Sequence, residues 1–292
     1  LGDRRAVSPL IAHLRSSDSD LVSAAAAALA ALGDPRALDD LLPLFAAEHA
    51  SVRQAAIAAV NSIGAEVTAS RIRPLVTGAD PRVREAAIRV AGYFGFDACI
   101  DTIVHAVDDE HEDVRRAALE QLPVVDDIRA VPKLVAALVG ETPRNRAAAA
   151  HALRAVNDET TVAPLIRALD DPGAWVRYFA ASTLGERRLR EAIPALVRSA
   201  RQDSAPHVRI AALQALGEQR ALDAFDVAVD MIGERDPDLV SAALAVLGAL
   251  ADARADELLD RMLRDGDDIF RVPAARALAT RGNARAVAAM AR

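Results

Sequence analysis

One short segment concentrates residues that could bind a metal ion: Glu110-His111-Glu112-Asp113. Histidine and carboxylates ligate zinc and iron, but a site needs three or more converging ligands. The six histidines stand at positions 13, 49, 105, 111, 151 and 207, and their spacing forms no metal-binding motif. We therefore interpret segment 110–113 as a solvated acidic turn and expect neither a metal nor another cofactor.

The residues that could act as catalytic nucleophiles also form no recognisable motif. Cys99 is the single cysteine, so no intrachain disulfide can form, which fits a reducing, cytoplasmic compartment. We expect Cys99 to pack at the start of a helix. The sequence contains no nucleophile elbow, phosphate-binding loop or dinucleotide fingerprint. The prediction is a protein without catalytic residues.

The overall charge restricts the class of partner. The net charge is −7, and Lys133 is the only lysine among 292 residues. Proteins that bind nucleic acids without sequence preference rely on Lys and Arg contacts to phosphates. This composition therefore makes a nucleic-acid partner the least favoured one. The longest uncharged stretch, 21–33, is shorter than the roughly 20 residues that span a bilayer, so no membrane partner is expected.

The elements that would position any site follow from an internal repeat. One pattern recurs nine times, consisting of an apolar residue, Arg, any residue, a small residue and Ala. Its first residue, called position 0, steps by 31 residues with one step of 32. The nine residues at position 0 are Leu21, Val52, Val83, Val114, Asn145, Val176, Val208, Leu239 and Phe270. A constant period of this length indicates stacked repeats of one supersecondary unit.

Each repeat contains two predicted helices. Position +4 is Ala in all nine repeats, and positions +5 and +8 are apolar throughout, which is the spacing of one helix face. We call this segment helix B, and the invariant Ala predicts a close helix approach. A second segment with proline near its start, such as 130–138, precedes it as helix A. The prediction is an all-α fold, an α-solenoid (α/α superhelix) of about nine two-helix repeats.

Helix ends and chain ends follow the same period. Position +12 is glycine at Gly33, Gly64, Gly95 and Gly282, which predicts left-handed C-terminal caps for helix B. Both ends of the sequence interrupt a repeat. We therefore expect residues 1–292 to form a single array that belongs to a longer protein.

The arginine at position +1 has two interpretations. It occurs as Arg53, Arg84, Arg115, Arg146, Arg177, Arg209 and Arg271, with Val22 and Val240 in the other two repeats. It could pair with carboxylates and carbonyls of the turns between helices, or it could form a row of anion sites. We favour the structural pairing because the position follows the repeat and because Arg suits interface ion pairs.

The motifs resemble a known family. Segments 32–42 (LGDPRALDDLL) and 80–87 (DPRVREAA) look like HEAT repeats, and more narrowly like the bacterial HEAT-like repeats named after phycobilisome lyase subunits. The resemblance covers essentially the whole chain and implies the fold. It implies function only loosely, since the family includes adaptors, chaperone-like factors and some enzymes. HEAT-type iron hydroxylases use several His-Glu pairs, whereas this chain has one, His111-Glu112.

A possible binding site emerges where the chain departs from its repeat. We define the B-face stripe as positions −1, +2, +6, +9 and +13 of helix B, which we expect to be exposed in a concave groove. In the first and eighth repeats it is small or acidic, for example Ser23, Asp34 and Gly248. In the middle repeats it becomes cationic and aromatic. The residues predicted to bind a partner are Arg82, Arg89, Arg116, Arg144, His151, Trp175 and Tyr178.

Three functions remain open at this point. Trp, Tyr and Arg are enriched at interface hot spots, which favours a scaffold that binds another protein or a peptide segment. The family resemblance also implies a lyase or chaperone subunit acting on tetrapyrrole-bearing proteins. A nucleic-acid-binding HEAT protein is the third. The alternative for the stripe itself is that Trp175 and Tyr178 merely fill a gap between repeats.

Overall fold

Helices form every regular element in the part of the chain that the structure describes. A computed structural model describes residues 4–234 and 236–280, with the side chains of 265 and 268 excepted. Its eighteen α-helices alternate between the two kinds predicted from the repeat, which gives nine A and B pairs. The prediction of an all-α solenoid is confirmed. The chain divides into two compact units, residues 1–134 and 135–292, and a single array over 1–292 stays a prediction.

Unit 1 contains four A helices followed by their B helices. The A helices are α1 Val7–His13, α3 Leu38–Leu41, α5 Ala65–Ile72 and α7 Ile100–His105. The B helices are α2 Ser19–Leu32, α4 Ala50–Ile63, α6 Pro81–Phe94 and α8 Glu112–Gln121. Each B helix packs against the next B helix of the unit, and the A helices lie alongside. The boundary between the units falls within α9 Ala130–Gly140.

Unit 2 repeats the pattern with A helices of 7 to 13 residues. These are α11 Val162–Ala168, α13 Ile193–Gln202, α15 Asp223–Gly233 and α17 Ala253–Asp265. The B helices are α10 Pro143–Ala152, α12 Ala174–Glu186, α14 Pro206–Glu218, α16 Pro237–Ala249 and α18 Asp268–Thr280. Consecutive B helices again pack on one another, so the same face of each helix forms the core of the stack.

Proline explains where some helices are short. Pro43 lies just after α3, and the chain continues as a 3-10 turn over Leu42–Ala46. Pro123 lies just after α8, which passes into the 3-10 turn Leu122–Val124. Proline has no amide hydrogen for the α-helical bond, so the tighter turn replaces the last turn of the helix.

The repeat positions that were predicted to be core are buried. All nine alanines at position +4 are buried, with at most 3% exposure at Ala25, and positions +5 and +8 are buried in every repeat. Position 0 is the exception in two repeats, since Leu21 is 39% exposed and Val83 is half-buried. In the first repeat Val22 takes the inward position instead, at 4% exposure.

Two positions of the B-face stripe were placed wrongly. Position +9 is buried at Gly185, Gly217 and Gly248, because the next B helix lies against it. A Cβ built on Gly185 would come within 2.6 Å of the Ala215 Cα, and one on Gly248 within 2.9 Å of the Ala277 Cα. The glycine therefore permits a backbone approach that no side chain would fit.

Position +13 was also wrong as a surface position, because its aspartates hold the start of helix A. Asp34 is 5% exposed, and its carboxylate accepts hydrogen bonds from the amide and the guanidinium of Arg36. These bonds hold the pKa of Asp34 at about 2. Asp127 and Arg129 form the same arrangement, and the pKa of Asp127 is also about 2.

The left-handed cap at position +12 also forms at residues other than glycine. Gly33 and Gly95 adopt it as predicted, whereas Gly64 has φ 106° and ψ 155°, which is no left-handed cap. Gly282 lies outside the described residues. Arg188 and Arg220, at the same position in unit 2, have φ values of 52° and 50°. Four of the eight described residues at position +12 thus have the φ of a left-handed cap, and two of these four carry an L side chain.

The arginines at position +1 pair as the structural interpretation predicts. Arg84 binds Asp109 through two hydrogen bonds of 2.9 Å, and Arg146 binds Asp171 in the same way at 2.7 and 2.9 Å. Arg177 does so with Asp203 at 2.6 and 2.8 Å. A third guanidinium nitrogen donates to turn carbonyls, for example from Arg84 to the Gly78 oxygen at 2.9 Å. In these three repeats the arginine ties its helix to the turn of the next repeat.

These ion pairs also set the protonation of their partners. Burial raises the pKa of Asp203, but the hydrogen bonds from Arg177 and from the Ala205 amide outweigh it, so the pKa of this carboxyl is lowered. The pairing correspondingly raises the pKa of Arg177. Because both partners stay charged and satisfied, the paired arginines are part of the scaffold and do not form open anion sites.

Candidate functional site

The acidic segment at 110–113 does not gather metal ligands. His111 Nδ1 lies 3.3 Å from a guanidinium nitrogen of Arg84 and 3.4 Å from Glu110 Oε1. Within residues 4–234 and 236–280, no group of three or more His, Cys, Asp or Glu side chains is arranged to hold a metal ion. Cys99 is 1% exposed, and burial raises the pKa of its thiol. It packs at the start of an A helix, as predicted.

The predicted site residues of unit 1 form an ion network on α6 and α8. Arg89 binds Glu120 at 2.6 Å and Glu85 at 3.3 Å. Arg116 lies 3.7 Å from Glu85 and 3.9 Å from Glu120, and it donates to Asp113 at 2.7 Å. Arg89 is 22% exposed and Arg116 13% exposed. The expectation that these two arginines form an open cationic surface was wrong, because carboxylates one helix turn or one repeat away neutralise them.

Arg82 is more open but lies in acidic surroundings. It is 44% exposed, and its guanidinium donates to the Ala46 carbonyl at 3.1 Å. It lines a cleft of about 510 Å³ together with Arg53 and the carboxylates of Glu48, Glu85, Glu112 and Asp113. Carboxylates thus outnumber arginines along this cleft, so the surface near Arg82 is acidic on balance.

The predicted site residues of unit 2 belong to an aromatic cluster on α10, α12 and α14. Trp175 and Tyr178 meet edge to face with ring centroids 5.4 Å apart. Phe179 contacts His151 at 5.0 Å and Tyr178 at 5.2 Å, again edge to face. His207 lies 5.0 Å from Trp175 and 6.0 Å from Tyr178. We call these five residues, His151, Trp175, Tyr178, Phe179 and His207, the aromatic cluster.

The cluster is partly open to solvent. Trp175 is 60% exposed in the first turn of α12, and His151 is exposed, whereas the other three rings are half-buried. Arg144, about two turns before His151 on α10, is exposed as well. The structure therefore brings His151, Trp175 and Tyr178 together. The inner rings support the outer ones, so Trp175 is held in place while more than half of its surface stays exposed.

Phe179 is the member that the sequence analysis missed. It stands at position +3, which is Ala in seven of the nine repeats and Pro273 in the last. A phenylalanine at a position otherwise reserved for alanine was therefore a usable signal. The sequence did not place Phe179 in the site because position +3 lies outside the B-face stripe. The ring contacts that join it to the stripe depend on the neighbouring helices.

Among the described helices, none combines the length and the apolar character that crossing a bilayer requires. The fold places this protein in the class of α-solenoids built of two-helix repeats. The surfaces described above lie on its B helices.

Comparison with known families identifies the repeats. The model for HEAT repeats matches residues 1–61, 69–154, 131–217 and 198–279. These segments cover most of the sequence, so the chain belongs to the HEAT-repeat family. No curated protein matches the sequence.

Solved structures share the fold at low sequence identity. YibA of Escherichia coli is 19% identical, with a TM-score of 0.68 over 92% of this chain and 98% of that one. A structure of importin beta is 14% identical, with a TM-score of 0.67 over 94% of this chain and 46% of that one. A mutant of Kap121p is 13% identical, with a TM-score of 0.60 over 94% of this chain and 37% of that one. At these identities the similarity concerns the fold alone.

Proposed function

We propose that this protein is a non-catalytic scaffold that binds another protein or a peptide segment, and that the aromatic cluster of unit 2 is its main contact. The observation that carries the proposal is the exposure of Trp175, the only tryptophan of a chain in which aromatic residues make up 3%. A large apolar ring kept 60% exposed contributes little to folding. Such rings are typical anchors of protein interfaces.

The surroundings of the cluster support a protein partner. The B helices α10 Pro143–Ala152 and α12 Ala174–Glu186 carry a single carboxylate, Glu186 in the last turn of α12, whereas Trp175 and Tyr178 lie in its first two turns. Ring-on-ring packing restricts the side chains before a partner arrives, which lowers the entropy lost on binding. Arg144, which is exposed on α10, is of a residue type that interfaces favour.

The decisive experiment is affinity capture with the full chain in three forms, wild type, Trp175→Ala and Asp238→Ala. Both substituted residues stand at position −1 of a B helix in unit 2, and both are exposed. A genuine partner should be retained by the wild type and by Asp238→Ala and lost by Trp175→Ala. Circular dichroism of each variant confirms that folding is unchanged.

The other two functions predict different results. A lyase or chaperone subunit for tetrapyrrole-bearing proteins would copurify with a visible absorption band or would bind such a protein independently of Trp175. A nucleic-acid-binding protein would show DNA binding that weakens steeply with salt. If the captured proteins are the same for all three forms, the aromatic cluster is not the contact and the proposal fails.

A further inference from the structure

A second surface of unit 1 departs from the repeat at position +10, near the end of each B helix. This position is exposed in all nine repeats of the described residues. Seven repeats carry a small or polar side chain there: Ala31, Ser62, Ala155, Glu186, Glu218, Ala249 and Thr280. The third and fourth repeats carry Tyr93 and Val124 instead, which are 65% and 64% exposed. The fold therefore tolerates any residue here, and these two apolar ones need another explanation.

Further apolar residues lie close to Tyr93 and Val124 along the chain. Tyr93 meets Phe94 edge to face at 5.0 Å, and Phe94 stacks on Phe96 at 5.3 Å. Ile128, in the loop after Val124, is 93% exposed. We call Tyr93, Phe94, Phe96, Val124 and Ile128 the loop-edge patch. Three of the nine aromatic residues of the chain lie within residues 93–96 of this patch.

Helix capping accounts for one of these residues only. Phe96 follows the left-handed Gly95, and its amide donates to the Ala91 carbonyl at 3.0 Å, which is the usual geometry of such a cap. Leu189 and Ala221 occupy the same place after Arg188 and Arg220 in unit 2. An apolar residue is thus expected at position 96, but capping requires neither Tyr93, Val124 nor Ile128.

The patch adjoins a small apolar cavity. Its volume is about 80 Å³, and its lining includes Phe96, Ile100, Ile103 and Val124. An engineered apolar cavity of roughly 150 Å³ binds benzene, so a cavity of half that size suits one aliphatic side chain. The cavity therefore offers a place for an anchor residue beside the exposed apolar side chains.

Carboxylates give the cavity a charged rim. Asp97 and Asp126 both line it and both are exposed, and neither carboxylate has a hydrogen bond or ion pair within the described residues. The neighbouring Asp127, by contrast, is bound to Arg129 at 2.7 Å. The two open carboxylates leave an uncompensated negative charge next to an apolar cavity. A cationic group on a ligand would be attracted to this rim.

We propose that the loop-edge patch is a docking site for a partner segment in which an aliphatic residue is flanked by Lys or Arg. The aliphatic side chain enters the cavity between Phe96 and Val124, and the basic residues meet Asp97 and Asp126. This site lies within unit 1 and rests on observations independent of the aromatic cluster. Either site can therefore fail without the other.

The test is selection from a random 12-residue peptide library displayed on phage, with the full wild-type chain as bait. Counter-selection uses the double variant Tyr93→Ser/Val124→Ser, whose changes lie on exposed side chains. The control is Glu186→Ser/Glu218→Ser, which alters the same repeat position in unit 2. We expect peptides with an aliphatic residue next to Lys or Arg, bound at least tenfold more weakly by the Tyr93→Ser/Val124→Ser variant and equally well by the control and by Trp175→Ala.

The charge contribution is tested with the selected peptide and Asp97→Asn/Asp126→Asn. Its affinity should fall several-fold at low salt, and the difference should shrink at high salt because the carboxylates are exposed. Selection of acidic peptides, or of none that depend on Tyr93 and Val124, overturns the proposal. So does a concentration-dependent dimer that Tyr93→Ser/Val124→Ser abolishes, since the occupant would then be a second copy. Thermal denaturation of each variant verifies the fold.

Discussion

The exposed sides of the B helices are built differently in the two units. In unit 1, Arg89 and Arg116 are held by Glu85 and Glu120 in a network of opposite charges. In unit 2, the corresponding helices carry rings that contact one another while Trp175 stays 60% exposed. The first arrangement satisfies its own charges. The second leaves an apolar ring that is only partly covered.

This difference separates a surface whose charges are already paired from one that we propose is available for binding. An arginine already paired with two carboxylates would lose those bonds when a partner arrives, so it offers little net binding energy. An exposed ring has no such competitor, and covering it releases water. Unusual composition in a repeat is therefore not enough to indicate a binding site. Whether the unusual side chains are already paired within the protein decides whether they can bind a partner.

The difference between the two units would have no functional meaning if the aromatic cluster had no role in binding. Trp175→Ala should cost about 2 kcal/mol or more of binding free energy, roughly thirtyfold in Kd, because a central anchor is lost. Arg144→Ala should weaken binding as well, whereas Asp20→Ala and Asp238→Ala should not. Titration calorimetry with the captured partner measures the effect. Four equal affinities would show that the cluster is ordinary surface.

A second substitution pair tests the boundary between core and surface within helix B. Ala149 is fully buried at position +4, so Ala149→Leu should lower the free energy of unfolding by about 1–3 kcal/mol through overpacking. Ala58 is exposed at position +6, and Ala58→Leu should be nearly neutral. Urea denaturation of both variants measures the difference, and equal stabilities would contradict the assigned helix face.

The ion network of unit 1 should affect stability and not binding. Arg116→Met should lower the free energy of unfolding by about 1–2 kcal/mol, because Glu85, 13% exposed, loses part of its compensation. Glu85→Gln in the same background should recover part of that loss, which a double-mutant cycle would reveal. Unchanged stability in Arg116→Met would mean that the arginine is available to a partner after all.

The smallest effect concerns the acid stability of unit 1. Hydrogen bonds from Arg129 hold the pKa of Asp127 at about 2, whereas an unfolded aspartate titrates near 3.9. The charged carboxylate therefore stabilises the fold above that value, and the benefit disappears as the pH falls through about 2. Asp127→Asn should be less stable than the wild type at pH 7 and similar to it near pH 2. Denaturation at both pH values checks this, with the unpaired Asp97→Asn as control.

The repeat made most of the fold predictable from the sequence. The constant Ala at +4 and the apolar residues at +5 and +8 predicted the buried face of every B helix, and the structure confirms it. The pairing of the +1 arginines was also predictable, because a residue that recurs with the period serves what every repeat has in common. Gly248 and Asp34 were wrongly predicted to be exposed because helical periodicity gives the direction of a side chain but not which neighbouring groups cover it.

The sequence by itself determined the class of fold, the length of the repeat and the core face, since these follow from local periodicity. Only the tertiary structure decided which unusual residues share a surface. Ring contacts join Phe179 and His207 to Trp175, and carboxylates on two successive B helices neutralise Arg89 and Arg116. The physical reason is that burial, pairing and exposure depend on distances between helices, which a one-dimensional pattern does not contain.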